Sequence, residues 1–276
     1  MNKIIINFCP TGMMPTKKTT PNVPISVSEI VEQTHEVYEL GITIAHLHAR
    51  NDDGSPAYKA SIYRDIFEGV RKHCPALVIC GSTSGRNWSE FEKRSEVIYL
   101  KPDMCSLTLS SMNFQNQASQ NEPEMIIKLA ETMKTNGVNP ELECFDVGMI
   151  NYGLYLIQKG ILAGPYYWNL IFGNIAGMQP TFVQIGTALS EIPESHFISM
   201  AGLGPHQLTV NAIAIAKGYG VRVGIEDNIW LNINRTRHAT NLELIQRLHT
   251  LIQIHEANFF TAKEYGALGF YNHFKI

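Results

Sequence analysis

The chain of 276 residues is 45% hydrophobic and 17% charged, which excludes a disordered chain, a coiled coil or a collagen-like fibre. Its net charge of −3 offers no basic surplus to a nucleic-acid backbone or an acidic membrane surface. Five scattered cysteines (Cys9, Cys74, Cys80, Cys105, Cys144) form no CxxC pair and fit a reducing, cytoplasmic compartment, and no apolar run reaches the roughly 18–20 residues of a transmembrane helix.

The opening Met1 to Phe8 is a short apolar run without a small-residue cleavage site, so it reads as a first strand and not as a signal peptide. Short, nearly continuous apolar runs follow at intervals. Strands are predicted over 4–9, 42–48, 77–82, 104–109, 141–145, 168–172, 197–201 and 221–225, the pattern of strands covered on both faces. Helical periodicity fills the gaps at 28–40, 62–73, 124–135, 149–159, 181–189, 206–217 and 242–257, with stops such as Gly41, Gly137 and Gly218. Eight such units with no Pro/Gly-rich linker between halves predict one (β/α)8 TIM-barrel domain over 1–276. A doubly wound sheet is the rival, but the turn after the first strand reads Cys9-Pro10-Thr11-Gly12-Met13-Met14, not GxGxxG. The segment 261–276 is expected to be an extension that packs on the barrel or on a neighbouring copy.

In such a barrel the site lies at the C-terminal strand ends. The second strand ends in His46-Leu47-His48-Ala49-Arg50. Positions i and i+2 share a strand face, so the two imidazoles either share a divalent cation or are buried and hydrogen-bonded. The eighth strand ends in Gly224-Ile225-Glu226-Asp227-Asn228. Its two carboxylates either cap the next helix or give Glu226 as a third ligand and leave Asp227 free as a base. Strands 2 and 8 are both even-numbered and can supply one interior layer. Ser82, Thr83 and Ser84 in the third strand's turn can present N–H groups and hydroxyls to an anion, or form a plain tight turn. Ser106 and Thr108 share a face of strand 4, Glu141 and Glu143 alternate on strand 5, and Arg222 in strand 8 requires a carboxylate or ligand partner. His206 either lines the mouth or caps a helix.

The segments Thr11-Gly12, Pro21-Asn22-Val23-Pro24-Ile25-Ser26, His46 to Arg50 with Asp52-Asp53-Gly54, Ser82-Thr83, Lys101-Pro102-Asp103-Met104, Met112-Asn113-Phe114, Pro140 to Glu143 with Gly148-Met149, and Arg222 to Asn228 together give a sequence that resembles the beta-keto acid cleavage enzyme family over nearly its whole length. That resemblance implies a zinc-binding barrel with His46, His48 and Glu226 on the metal. It implies condensation of a beta-keto acid with acetyl-CoA and release of acetoacetate and a new acyl-CoA through a retro-Claisen step. Asp227, Arg222 and Ser82 match the positions for proton removal and charge stabilisation. Met14, Thr83, Ser106, Thr108 and Glu143 fall at substrate-pocket positions, and the family usually forms homotetramers. Where the family's type member carries a carboxylate that pairs with the substrate's amino group, this chain has Met14. A thioether cannot pair with an ammonium, so a keto acid without the cationic group, with an uncharged or apolar tail, is expected. Ser106 and Thr108 replace the more usual Thr and Asn. The competing readings are a metal-dependent hydrolase of the amidohydrolase type, which needs histidines on strands 5 and 6 that are missing, and a non-catalytic metal- or acid-binding barrel.

Overall fold

The structure, a computed structural model, describes residues 3–272. The expected barrel is the fold observed. Eight parallel strands, β1 (Ile6–Phe8), β2 (Ile44–Leu47), β3 (Val78–Gly81), β4 (Met104–Thr108), β5 (Asn139–Cys144), β6 (Tyr167–Phe172), β7 (Phe197–Gly202) and β8 (Gly220–Val223), close into one sheet. Closure is made by β1, whose Ile6 and Phe8 stand opposite Val221 and Val223 of β8, while its Asn7 faces Ile44 of β2. The helices α1 (Val27–Leu40), α2 (Ala60–His73), α3 (Phe91–Ser95), α4 (Pro123–Thr135), α5 (Val147–Gln158), α6 (Phe182–Ser190), α7 (Gln207–Ala216) and α8 (Asn241–Ile254) connect and follow them. α1 and α8 begin at reciprocal capping boxes, Ser26 with Glu29 and Thr240 with Glu243, which satisfy the first free N–H groups of each helix. No described helix is long and apolar enough to cross a membrane.

Beyond shifts of a few residues at element ends, three features depart from expectation. α3 was not foreseen, because five residues with Glu92, Lys93 and Arg94 are too few to display an amphipathic period. β8 stops at Val223 and not at 225, because the backbone of Gly224 presses on the first strand's exit: a Cβ there would lie 1.9 Å from the Cys9 carbonyl oxygen, and the chain must turn. Two small hairpins, Ala49–Arg50 with Pro56–Ala57 and Met112–Asn113 with Ala118–Ser119, rise from the loops after β2 and β4, beside the site.

The two ends of the barrel are built differently. At the N-terminal end Ile5, Ile44, Val78, Met104 and Tyr167 pack with Tyr265 and Phe270 of the chain's last segment, whose rings stack 4.2 Å apart. The extension therefore packs on its own barrel and seals this end. Tyr265 and Phe270 are fully buried, and Phe259 and Phe260 pack on His249 and Phe197, so these rings are occupied within the chain; Phe274 lies outside the described residues. At the C-terminal end the interior is open and polar.

Candidate active site

His46 lies within β2 and His48 immediately beyond it, both buried. Alternation along the strand brings their Nε2 atoms to 3.1 Å. Glu226 approaches from the turn after β8, its Oε1 3.2 Å from His48 Nε2. β1 is the strand between β2 and β8, and its exit has to be thin for the carboxylate to cross. Gly12 provides this: at φ 62°, a Cβ would sit 2.5 Å from Cγ of Glu226, so the position needs glycine for both its backbone and its bulk. Ligand atoms of His46, His48 and Glu226 all lie within 4.8 Å of one another. The second Glu226 oxygen, Oε2, is buried with no hydrogen-bond partner among the described residues. An orphaned buried carboxylate oxygen is costly unless a cation takes it. Two imidazole nitrogens and one carboxylate suit a divalent metal with coordination positions left for substrate.

The inner wall holds this trio in place. Nδ1 of His46 contacts Glu141 Oε2 at 2.6 Å, which leaves Nε2 facing the proposed ligand point. Glu141 is a fully buried charge in mid-barrel, and it is solvated by protein: Asn7 and Asn169 donate to Oε1 at 2.6 and 2.9 Å, and the Cys80 thiol lies 3.2 Å from Oε2. Burial alone would lower the His46 pKa, but the Glu141 carboxylate overcomes it and raises the imidazole to about 9. Burial acts on His48 as well, and there it outweighs the Glu226 carboxylate 3.2 Å away and lowers the imidazole. The set His46, Cys80 and Glu141 is also compact. Burial pushes the Cys80 thiol well above its ordinary range, and in this set the contact of His46 Nδ1 with Glu141 fixes the ring that presents Nε2.

Arg222, in β8, meets three carboxylates at once. Its Nε and Nη2 fork onto Asp227 at 2.9 and 3.2 Å, Nη2 also reaches Glu226 Oε1 at 2.8 Å, and Nη1 reaches Glu143 Oε1 at 3.3 Å. The partner that a barrel arginine requires is thus supplied threefold. Thr108 donates to the other Glu143 oxygen at 2.8 Å. Asp227 is raised above the ordinary aspartate range, first by burial and then by neighbouring Glu226, against the pull of Arg222. Burial likewise raises Glu143. A carboxylate that is oriented by a fork and more basic than usual is suited to taking a proton.

A cavity of about 540 Å³ opens over these groups, lined by His46, His48, Glu226, Asp227, Arg222, Glu143, Thr108, Ser82 and Met14. The residues expected at the site are therefore brought together, with two exceptions. Thr83 and Ser106 stand behind the wall, bonded to each other: Thr83 N–H donates to the Ser106 hydroxyl at 3.0 Å and its Oγ1 to the Ser106 carbonyl at 2.6 Å. They set the turn that presents Ser82. Met14 is half exposed at the rim, on a loop tied down by Arg50, which donates to the carbonyls of Gly12 and Pro15, both at 2.8 Å. Of the two readings of His206 the structure favours the first: it lines the cavity, and although it precedes α7 its side chain makes no capping hydrogen bond. Nothing in the sequence pairs Glu141 with His46 or singles out Asn7, Asn169 or Arg86 for the site, and Phe114 stands there only within the Met112-Asn113-Phe114 segment. Only Glu141 carried a signal, as a carboxylate in an otherwise apolar strand.

Compared with known proteins, residues 3–268 match the family model described as beta-keto acid cleavage enzyme. The chain is 33% identical over 267 residues to the 3-keto-5-aminohexanoate cleavage enzyme of Acetoanaerobium sticklandii, covering 96% of this chain and 94% of that protein. It is 34% identical over 253 residues to the 3-oxoadipate:acetyl-CoA acetyltransferase of Cupriavidus necator, covering 90% and 88%. Among solved structures, the ternary complex of ObcA with C4-CoA adduct and oxalate superposes with a TM-score of 0.79 at 20% identity, over 90% of this chain and 67% of that one, a likeness of fold alone.

Proposed function

The chain belongs to the beta-keto acid cleavage enzyme family and is an acyltransferase by that membership, and we propose that zinc held by His46, His48 and Glu226 completes its site, with a beta-keto acid and acetyl-CoA as substrates. The observation that carries this reading is the convergence of two Nε2 atoms and a carboxylate with an unpartnered oxygen, beside an aspartate forked by arginine. When bound, the metal supplies Lewis-acid polarisation of the keto acid's oxygens.

The protein's own groups do the rest. Asp227 accepts a proton from the carbon between the keto and carboxylate groups. The carbanion attacks the acetyl-CoA carbonyl and CoA thiolate leaves. The thiolate then attacks the original keto carbonyl, the carbon–carbon bond to it breaks, and Asp227 returns the proton to the departing acetoacetate carbon. One acyl group has been exchanged for another and no redox partner is needed. Arg222 keeps Asp227 aimed and places positive charge beside the developing oxyanion. Ser82 offers a hydroxyl from the opposite wall, and Glu143, held by Thr108 and Arg222, borders the substrate.

The test is incubation of the purified zinc enzyme with acetyl-CoA and a panel of beta-keto acids. Acetoacetate is expected only when acetyl-CoA is present. Release of products without it would favour the hydrolase reading, and bound zinc with no turnover on any keto acid would favour a binding protein. The relatives' names span an amino-bearing substrate and a dicarboxylate, so membership leaves the tail open. Met14 bears on one alternative. Met14→Glu is expected to shift the kcat/KM ratio toward amino-bearing keto acids by on the order of tenfold, limited by solvent screening at this half-exposed rim. An unchanged ratio would remove Met14 from the substrate's path.

A further inference from the structure

Among the described residues two cations without an ion pair line the cavity, the exposed Arg235 and the more deeply set Arg86. Arg86 lines the same space as His46, Glu143 and Asp227, on the loop after β3. Arg222 is committed to three carboxylates, whereas Arg86 has no carboxylate within ion-pair distance among the described residues. Its Nε is buried without a hydrogen-bond partner. The ring of Phe114 supports it, with its centroid 3.6 Å from the guanidinium carbon. Phe114 in turn packs edge-on against Phe145 at 5.6 Å. The loop is fixed to the hairpin that carries this ring, through Gln120 N–H to the Gly85 carbonyl at 3.2 Å. A guanidinium stacked on an aromatic face keeps its in-plane N–H groups free, in the fork that matches a carboxylate. Burial lowers the Arg86 pKa, against the pull of the Glu226 and Glu143 carboxylates that line the same cavity. A desolvated, oriented, unpaired cation of this kind is costly by itself and is repaid when an anion enters.

We propose that the beta-keto acid carries a second carboxylate at its far end and that the guanidinium of Arg86, stacked on Phe114, receives it. This rests on the reading of the cavity as a keto-acid site and narrows it to 3-oxo diacids. It replaces the uncharged tail expected from Met14, which excludes a cationic tail but does not supply a partner for an anionic one.

Two measurements test it. The first compares kcat/KM of the zinc enzyme for 3-oxohexanedioate and 3-oxohexanoate, equal in length and differing only in a terminal carboxylate or methyl. Wild type is expected to favour the diacid by on the order of 100-fold or more, and the ratio should fall toward unity in Arg86→Gln. Arg86→Lys, which keeps the charge but loses the fork, should fall between them. The second titrates the unreactive probes adipate and hexanoate by calorimetry. Arg86→Gln should weaken adipate by at least about 30-fold and hexanoate by less than about threefold. A wild type indifferent to the terminal carboxylate overturns the proposal, as does an Arg86→Gln adipate affinity equal to that of wild type. A raised KM for acetyl-CoA with the diacid ratio intact also overturns it, because Arg86 would then serve a coenzyme phosphate. Absence of turnover with every keto acid defeats the preceding section's reading instead, and the adipate titration still decides on Arg86 provided both variants unfold at the wild-type temperature.

Discussion

His46→Ala and His48→Ala are both expected to abolish stoichiometric zinc and to lower kcat by at least about three orders of magnitude, yet to differ in stability. Each removes one of the three proposed ligands, and two-ligand sites do not retain zinc against water. The activity effect is large because polarisation of the keto acid and orientation of its two oxygens vanish together. The stability effect separates the two positions. His46 also neutralises Glu141, a fully buried carboxylate 2.6 Å from its Nδ1. Its removal leaves that charge with only Asn7, Asn169 and Cys80, and breaking a buried pair costs about 3–5 kcal/mol, a fall in Tm on the order of 10 °C for a chain of this size. His48 faces Glu226, which Arg222 still holds at 2.8 Å, so His48→Ala should unfold within a few degrees of the metal-free wild type. Elemental analysis and thermal unfolding of metal-free protein check both halves. Equal zinc in variant and wild type would defeat the ligand assignment, and equal Tm losses would defeat the role of Glu141.

How much of this was legible before the fold was known follows from the range of each interaction. The HxH pair is a local fact: two residues apart on a strand means one face. The Glu226-Asp227 pair was legible as two carboxylates that an apolar strand end does not tolerate unpaired. The barrel count then put both on even-numbered strands that can supply one interior layer, and the closed sheet sets strands 2 and 8 on either side of strand 1. The support beneath them was not legible. Glu141 lies 95 residues from His46 in sequence, and nothing in either segment names the other; only barrel register brings them together. Thr83 and Ser106 illustrate the converse. Polar residues at strand ends were taken to face the substrate, but they satisfy each other's backbone and hydroxyl groups. Arg86 was passed over because it sits on a loop without periodicity, and its significance is negative, the lack of a partner, which only coordinates reveal. Gly12 was legible as part of a motif, but its reason, the passage of the Glu226 side chain beside a bare backbone, is purely spatial.

Asp227→Asn is expected to retain zinc and fold while losing at least about 10² in kcat, the range of a missing general base. The amide keeps the shape and one acceptor oxygen for Arg222 but loses the second; Arg222 remains tied to Glu226 and Glu143, which holds the local framework. What disappears is basicity. A merely structural aspartate would lose turnover in step with its fold, and an aspartate whose only task is to orient Arg222 would slow the acyl exchange but still permit proton removal. Hydrogen–deuterium exchange separates these. With acetyl-CoA withheld, the wild-type zinc enzyme should wash deuterium from solvent into the keto acid's central carbon faster than the spontaneous rate, and Asp227→Asn should not. Arg222→Met makes the complementary case. It leaves three carboxylates, Asp227, Glu226 and Glu143, buried together without their common cation, so both folding and zinc retention should suffer, as they should not in Asp227→Asn. If Asp227→Asn exchanges deuterium at the wild-type rate, the proton goes elsewhere, and Glu143, also raised by burial and lining the same cavity, becomes the base to test.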